Sequence, residues 1–437
     1  MAWDFETDPE FQKELDWIED FVRREVEPLD HVLGSAWDVH DENRNRLVRP
    51  LQQQVRERKL WACHLGPDLG GQGYGQVKLA LMNEILGRSR FGPSVFGCQA
   101  PDSGNGEILA HYGTAAQKER YLFPLLNNEI VSCFSMTEPQ GGADPKVFTT
   151  RAEKQGGEWV INGEKWFSSN ARFASFFIVM AVTDPDHPDP YRRQSMFIVP
   201  AETPGVNIIR NTGIGSERVS SHAYMRYENV RVPEDHMLGG RGDGFVVAQT
   251  RLGGGRIHHA MRTMGQVRKA FDMMCERALS RESQGQRLAD MQMTQEKIAD
   301  SWIEMEQFRL LVLRSAWRID KYKDYRKVRK DIAAVKVTMS KVLRDVASRA
   351  LQLHGSLGLS SEMPFGDQVL ESFHMALADG PTEVHKITVA RQVLRDYQPT
   401  NEMFPAYHLI NQRRQAVERF GGLIDPVEAE FEIGEAV

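Results

Sequence analysis

The chain has 437 residues, enough for two or three domains that share large interfaces and can bury a cofactor. Its 54 basic and 60 acidic residues are interspersed and give a formal net charge of -6, which argues against a nucleic-acid partner and a polybasic membrane patch. The acidic amino terminus and the lack of a long apolar run predict no signal peptide, no membrane insertion and a cytoplasmic location.

Four cysteines are scattered along the chain at Cys63, Cys98, Cys133 and Cys275. None of them has the Cys-x-x-Cys spacing of a zinc site, and their positions do not suggest a disulfide framework. We therefore expect buried thiols in a reducing compartment and no metal site.

The first 130 residues carry mostly helical patterns. Asp8 and Pro9 form an N-cap and a first-turn proline, and apolar residues then recur at helical spacing. Helices are predicted over residues 8–27, 44–60, 77–87, 104–112 and 114–127. The glycine cluster at 70–75 is interpreted as a loop, because no strand and helix flank it as in a dinucleotide site.

Short β-branched and aromatic runs separated by turn signals occupy residues 130–232, with strands at 159–161, 176–180, 196–199 and 206–209. They predict an all-β barrel or sandwich of about a hundred residues. Helical patterns return at 245–281, 294–322, 329–353 and 382–397, as in a bundle that packs against itself or another subunit. The tail beyond Pro399 is loosely patterned, and Pro426–Val437 is expected to be partly disordered.

Residues 377–385 form a break between two helical patterns. Pro381 stops the preceding helix, Thr382 can cap the following one, and a carboxylate held between them at Asp379 could act as a base. An ordinary Asp-Gly turn between surface helices explains the same residues.

Two further stretches combine hydroxyl groups with glycines or aromatic residues, Phe134–Asp144 and Gly163–Asn170. With the order of the domains, four motifs in these stretches and beyond resemble the acyl-CoA dehydrogenase family over residues 1–397. The motifs are Met136-Thr137-Glu138-Pro139, Asn162-Gly163-Glu164-Lys165 followed by Phe167-Ser168-Ser169, Arg281–Gly285, and Gln352–Gly358. Residues 253–259 and 378–385 look most similar to the branch of family members 10 and 11, where the dehydrogenase can be fused to a kinase-like domain. Here we expect the dehydrogenase module alone.

The resemblance implies an α+β fold with an N-terminal α-helical domain (1–130), a central β-barrel (131–245), a C-terminal four-helix bundle (246–397) and an extension (398–437). It implies FAD between barrel and bundle, and a homodimer or homotetramer. The flavin ring would be held by Phe134, Met136, Thr137, Gly142, Ala143, Phe167, Ser168 and Ser169. The neighbouring subunit would bind the diphosphate and adenosine end through Arg281, Ser283, Gln292, Gln352, Gly355 and Ser356. The guanidinium of Arg281 independently suits a diphosphate.

The chemistry implied by the resemblance is α,β-dehydrogenation of an acyl-CoA to the trans-2-enoyl-CoA. Asp379 would take the α proton, the β hydrogen would leave as hydride to flavin N5, and electrons would pass to an electron-transfer flavoprotein. The residues expected near the substrate are Ala143, Arg256 and Gly380.

Several positions depart from the family pattern. Asp379 stands where the family usually has Glu, and Gly255 stands where some relatives place their base. Ala143 replaces a serine and Phe167 a tryptophan. Pro381 and Glu383 occupy positions where Thr and Gln usually contact the cofactor.

Alternatives remain open at this point. An acyl-CoA oxidase or a nitroalkane-oxidase-like enzyme could use the same fold, the latter with an aspartate base. A non-catalytic CoA-binding or scaffold protein is a further possibility. His258, His259 and His385 could tune the base, bind a polar acyl group or simply be buried. The acyl chain is not specified by the sequence.

Overall fold

The computed structural model of the protein describes residues 5–214, 221–400 and 403–423. Its contacts divide the chain into one unit that ends at Val389 and a second that starts at Ala390. The site lies in the first unit, so the fold is described mainly there.

Short helices build the first part of the chain. The predicted cap is confirmed, because the Asp8 carboxylate accepts a hydrogen bond from the Phe11 amide at 2.9 Å and Pro9 is the first helical residue. The helices are α1 Pro9–Phe21, α2 Leu29–Val32, α3 Glu42–Glu57, α4 Gly75–Leu86, α5 Gly92–Val95, α6 Asp102–Tyr112, α7 Ala115–Gln117 and α8 Phe123–Leu126. Two π-helical turns, Val22–Val26 and Lys118–Leu122, follow α1 and α7. The predicted loop at 70–74 is confirmed.

A single sheet follows, built from β1 Ser132–Ser135, β2 Arg151–Gln155, β3 Glu158–Ser169, β4 Phe176–Val182, β5 Gln194–Pro200, β6 Val206–Thr212, β7 His222–Pro233 and β8 Met237–Leu238. The strand order is β6-β7-β3-β2-β4-β5-β8, with β1 parallel to β4. In the described part of the chain, β6 pairs only with β7 and β8 only with β5, so the sheet is open. The predicted closed barrel is therefore not supported. Closure depends on pairing between distant strands, which local patterns do not encode.

Long helices occupy the rest of the first unit. They are α9 Gly244–Ser280, α10 Gln292–Tyr322, α11 Arg329–His354, α12 Ser356–Leu359, α13 Phe365–Leu377 and α14 Thr382–Leu394, which continues past the end of the unit. A small hairpin of β9 Glu282–Ser283 and β10 Gln286–Arg287 joins α9 to α10. The second unit contains α15 Leu409–Phe420, a helix that the loosely patterned tail did not predict. Residues 426–437 lie outside the described residues.

The helix α9 organises the core. It packs against α4 and α6 of the N-terminal part and against α10, α11 and α13. One cluster of buried side chains is shared between α4, α9, α10, α11 and α13 and includes Leu86, Met264 and Val335, each with no exposed surface or nearly none. Cys63, Cys98 and Cys133 are buried free thiols, whereas Cys275 is half-buried. Among the described helices, none is long and apolar enough to cross a membrane.

Candidate active site

The predicted break between helices is present. Helix α13 ends at Leu377, and the chain then takes left-handed backbone angles at Asp379 (φ 56°) and Gly380 (φ 105°) before α14 begins. Left-handed geometry at a residue other than glycine costs on the order of 1 kcal/mol or more and persists only where the surroundings enforce it. The Thr382 hydroxyl donates back to the Ala376 carbonyl at 3.3 Å, so the prediction that it caps the following helix is not confirmed.

Two side chains hold the main chain of Asp379 in this conformation. Arg256 of α9 donates from Nε to the Asp379 carbonyl at 2.9 Å, and His385 of α14 lies with Nε2 at 3.2 Å from the same oxygen. The main-chain amide of Asp379 has no acceptor among the described residues. The carbonyl is thus occupied while the amide is free to bind a ligand.

The Asp379 carboxylate faces α9, and its side chain is 14% exposed. Its Oδ1 lies 4.0 Å from a terminal nitrogen of Arg251, and its Oδ2 lies 3.6 Å from Nε2 of His259. A Cβ atom at Gly255 would lie 3.0 Å from Oδ2. Arg251, Gly255 and His259 are four residues apart, so one face of α9 presents all three to the carboxylate.

The surrounding charges keep this carboxylate ionised. Burial by itself raises the pKa of Asp379, but neighbouring basic side chains outweigh it, and the pKa lies below its usual value. In order of effect these neighbours are His259, Arg251, Arg256 and Lys336. Burial lowers the pKa of His259 to about 3, so that ring is neutral near pH 7. The permanent charge therefore comes from the two arginines and Lys336.

Arg251 and Lys336 are site residues that the sequence reasoning missed. Arg251 donates from Nε to the Asn105 side chain at 2.8 Å, and its guanidinium lies 4.1 Å from the centre of the Phe134 ring. It thereby connects the predicted flavin-loop residue Phe134 to Asp379. The spacing of four between Arg251, Gly255 and His259 could have revealed Arg251, whereas nothing in the sequence marks Lys336 on α11.

The loop after β1 is fixed to β3. Lys165 is fully buried and donates to the Met136 carbonyl at 2.9 Å and to the Glu138 carboxylate at 2.8 Å. The Trp166 amide donates to the Thr137 carbonyl at 2.8 Å. The Thr137 amide and hydroxyl have no partner within the described residues. The Thr137 amide and hydroxyl are therefore two neighbouring hydrogen-bond donors on a loop that is fixed to β3.

The sequence matches three domain models of one family: the acyl-CoA dehydrogenase N-terminal domain over residues 8–129, the middle domain over 133–230 and the C-terminal domain over 242–394. The chain belongs to the acyl-CoA dehydrogenase family. It is therefore an oxidoreductase, and FAD is the cofactor of this family. The resemblance inferred from the motifs is confirmed.

Relatives extend the match over most of the chain. The chain is 37% identical over 398 residues to FadE2 of Mycobacterium tuberculosis, which covers 90% of this chain and 93% of FadE2. It is 37% identical over 390 residues to acyl-CoA dehydrogenase family member 11 of Gallus gallus, which covers 87% of this chain and 50% of that protein. The chain thus spans about half the length of this second relative. A solved structure from Mycobacterium abscessus has a TM-score of 0.83 at 35% identity, covering 90% of this chain and 100% of that chain.

The free donors of Thr137 fit the flavin that acyl-CoA dehydrogenases bind, because the flavin pyrimidine edge carries hydrogen-bond acceptors. Met136 precedes Thr137 in the same fixed loop, and Gly142 lies against the Thr137 side chain. Gly142 and Ala143 are both exposed. This part of the predicted cofactor site is therefore brought together by the structure.

The predicted residues on β3 have different environments. Phe167 has a left-handed backbone (φ 51°) and is 42% exposed, and its ring meets that of His222 edge to face at a centroid distance of 5.5 Å. Ser169 is half-buried. Ser168 is fully buried, and its hydroxyl lies 2.9 Å from that of Ser135. The Ser168 hydroxyl is therefore hydrogen-bonded to Ser135 within the sheet, and it supports the loop instead of facing a bound ligand.

The residues predicted for the adenosine end lie elsewhere. Arg281 directly follows the last residue of α9, about seven helical turns beyond Arg256, which is roughly 37 Å in a straight helix. All members of this predicted group are exposed: Arg281, Ser283, Gln292, Gln352, Gly355 and Ser356. Pro381 is half-buried and Glu383 is exposed on the first turn of α14. In a single copy of the chain, Arg281 therefore lies far along α9 from the residues that surround Asp379.

Proposed function

We propose that this protein is an FAD-dependent acyl-CoA dehydrogenase in which Asp379 removes the α proton of the thioester. The observation that carries the proposal is the state of Asp379 itself. Its carboxylate is nearly buried and is kept ionised by Arg251, Arg256 and Lys336. A base for a weakly acidic carbon-bound proton must be ionised at the working pH and shielded from water, and Asp379 meets both conditions, although its lowered pKa makes it a weaker base than an ordinary aspartate.

The backbone of the same residue supports the second requirement of the reaction. The α hydrogen becomes acidic only when the thioester oxygen receives hydrogen bonds as negative charge develops on it. The free amide of Asp379 is a donor for that oxygen, and Arg256 and His385 hold the peptide that carries it. Arg256 acts here by positioning the base, in addition to its expected place near the substrate.

FAD, when bound, supplies the acceptor for the β hydrogen and its electron pair. On this chain, Thr137 offers the amide and hydroxyl that would hold the flavin, and the Lys165–Glu138 pair fixes the loop. Phe134 packs against the Arg251 guanidinium, a terminal nitrogen of which lies 4.0 Å from the Asp379 carboxylate. These side chains bind and orient, whereas proton transfer is the task of Asp379.

Assembly and partners belong to the same proposal. The exposed residues predicted for the adenosine end, from Arg281 to Ser356, would complete the FAD site of a neighbouring subunit in a homodimer or homotetramer. Electrons would pass to an electron-transfer flavoprotein, and the product would be a trans-2-enoyl-CoA. We propose a cytoplasmic location on the grounds given by the sequence.

The proposal is tested by anaerobic titration of the purified flavoprotein with a panel of acyl-CoAs. We expect at least one of them to bleach the flavin absorbance of the wild type. Asp379→Asn should slow this reaction by about 10²- to 10⁴-fold, the usual contribution of a general base. Asp367→Asn, an exposed position on α13, serves as the control and should bleach normally. Unimpaired bleaching of Asp379→Asn would exclude Asp379 as the base.

A second candidate uses the same site with another electron acceptor. The aspartate base favours a nitroalkane-oxidase-like enzyme, and an acyl-CoA oxidase would share the substrate. Exposure of the reduced protein to air separates these functions, because an oxidase reoxidises rapidly and forms peroxide. A colourless protein that cannot be reconstituted with FAD would instead indicate a non-catalytic CoA-binding or scaffold function.

A further inference from the structure

A fully buried lysine lies beneath the end of α13. Lys336 of α11 has no exposed surface, and its Nζ donates a hydrogen bond to the Met375 carbonyl in the last turn of α13. Lysine is rarely buried completely, because removing an ammonium group from water costs several kcal/mol unless other groups compensate. Its retention here therefore requires an explanation.

The position of Lys336 relative to α13 supplies part of that explanation. The last four carbonyl groups of a helix lack partners within the helix, and positive charge is favourable at that end. At the end of α13, Lys336 donates a hydrogen bond to the Met375 carbonyl, and the Thr382 hydroxyl donates one to the Ala376 carbonyl. Asp379 follows directly after this turn. A side chain that fixes the turn also fixes the starting point of the base.

The positive charge of Lys336 is the second part of the explanation. The basic groups that act on Asp379 come from several elements. Those of α9 are Arg251, Arg256, His259 and, more weakly, Arg262, while α14 contributes His385 and α13 carries His374 close to His259. Lys336 is the contribution of α11. It stays charged near pH 7 because its pKa, lowered mainly by burial, is about 8.

We propose that Lys336 is a positioning residue for the base: it anchors the last turn of α13 through the Met375 carbonyl and provides a positive charge near Asp379 at neutral pH. The inference rests on the proposed function of Asp379. Lys336 does not touch the substrate in this account. It acts through the orientation and the ionisation of the carboxylate.

The test compares two substitutions at this position with a matched control. Lys336→Met removes both the donor and the charge at similar volume, and Lys336→Gln keeps a donor without the charge. Lys341→Met makes the same change on the same helix at a side chain that is 58% exposed. The rate of flavin reduction at saturating acyl-CoA and the acyl-CoA dissociation constant are measured separately by stopped flow from pH 3 to 8.

We expect Lys336→Met to slow flavin reduction at least tenfold, with less than about a threefold change in acyl-CoA affinity, because a loosened turn misplaces the base without removing a contact to the substrate. In both Lys336 variants the acid limb of the rate should move upward by roughly half to one pH unit, because removal of a nearby positive charge raises the pKa of a carboxylate. Lys341→Met should match the wild type in every respect.

Hydrogen exchange provides a readout independent of activity. Peptides covering residues 371–384 should exchange faster in Lys336→Met than in Lys341→Met, and Lys336→Gln should retain more of the protection. Wild-type rates and an unmoved acid limb in Lys336→Gln would overturn the role of the charge. Unchanged exchange in Lys336→Met would overturn the anchoring role. If no acyl-CoA bleaches the wild type, the proposed function fails, while the exchange comparison still decides whether Lys336 anchors the turn.

Discussion

At the residue scale, Gly255 and Asp379 are complementary. The carboxylate oxygen Oδ2 occupies the space that a side chain at position 255 would enter, since a Cβ there would lie 3.0 Å away. The structure thus has room for the base at 379 because position 255 has no side chain. An aspartate is one methylene shorter than the usual glutamate, and the close approach of α9 leaves little space for a longer side chain on that side. Asp379 and Gly255 therefore depart from the family pattern together, because the missing side chain at 255 leaves room for the carboxylate at 379.

This complementarity predicts that Gly255→Ala impairs the reaction even though alanine favours a helix. The new methyl group would push the carboxylate out of place, and misplacement of about 1 Å can cost on the order of 100-fold in rate. We expect a fall of that size in flavin reduction with little loss of FAD or of thermal stability. The control is Gly366→Ala. Gly366 is a helical glycine on α13, and a Cβ added there would have no neighbouring atom within 4 Å among the described residues. A fully active Gly255→Ala would show that the carboxylate tolerates the contact.

At the element scale, one buried ion pair holds the predicted flavin loop on the sheet. The Glu138 carboxylate also accepts hydrogen bonds from the main-chain amides of Thr149 at 2.7 Å and Thr150 at 3.0 Å. It therefore ties both ends of the loop from 136 to 150 to Lys165 of β3. Burial lowers the pKa of Lys165 to about 8, and the charge persists at neutral pH because Glu138 is its partner.

Removal of one partner of this pair should loosen the loop. Lys165→Met leaves the Glu138 carboxylate buried without its counter-charge, a change that costs about 3–5 kcal/mol in comparable cases. We expect a lower thermal midpoint and weaker FAD binding, measured by calorimetry and by titration of the apoprotein with FAD. The double variant Lys165→Met/Glu138→Gln should recover part of both losses. A single variant that binds FAD as tightly as the wild type would exclude the pair from organising the cofactor loop.

Elements with local signals were predictable from the sequence, and contacts between distant segments were not. The Asp8 cap, the run that forms β4 and the helical pattern of α9 each depend on neighbouring residues, and each was confirmed. Whether the sheet is open or closed depends on pairing between strands that are distant in the sequence, which local patterns do not encode. Lys336 lies on one face of α11, and only the packing of α13 over that face gives it a role at the site. Motifs located the candidate base, whereas its surroundings required the tertiary structure.

At the scale of the whole molecule, buried histidines link folding to pH. Both ring nitrogens of His64 are buried without a partner in the described part of the chain, and burial followed by the charge of Arg262 lowers its pKa to about 3. Burial also lowers the pKa of His385, to about 4. Asp102 and Glu107 oppose this trend, because burial raises their pKa values to about 6 and about 7. The net pH dependence is therefore a balance, and single variants are needed to separate the contributions.

His64→Leu isolates one of these contributions. Below the ordinary histidine pKa of about 6.5, the unfolded chain binds a proton that folded His64 does not, so the wild type loses stability as the pH falls until about pH 3. Leucine does not bind a proton, so the variant does not lose stability in this way. Relative to the wild type, the variant should gain up to about 2 kcal/mol in free energy of unfolding between pH 7 and pH 5, given about 1.36 kcal/mol per pH unit. Denaturant titrations at the two pH values measure the difference, with the exposed His40→Leu as the control. Because the ring of His64 lies against that of His258 on α9, an unchanged difference between the proteins would mean that His64 takes up its proton in the folded state and that the core around α9 admits charge.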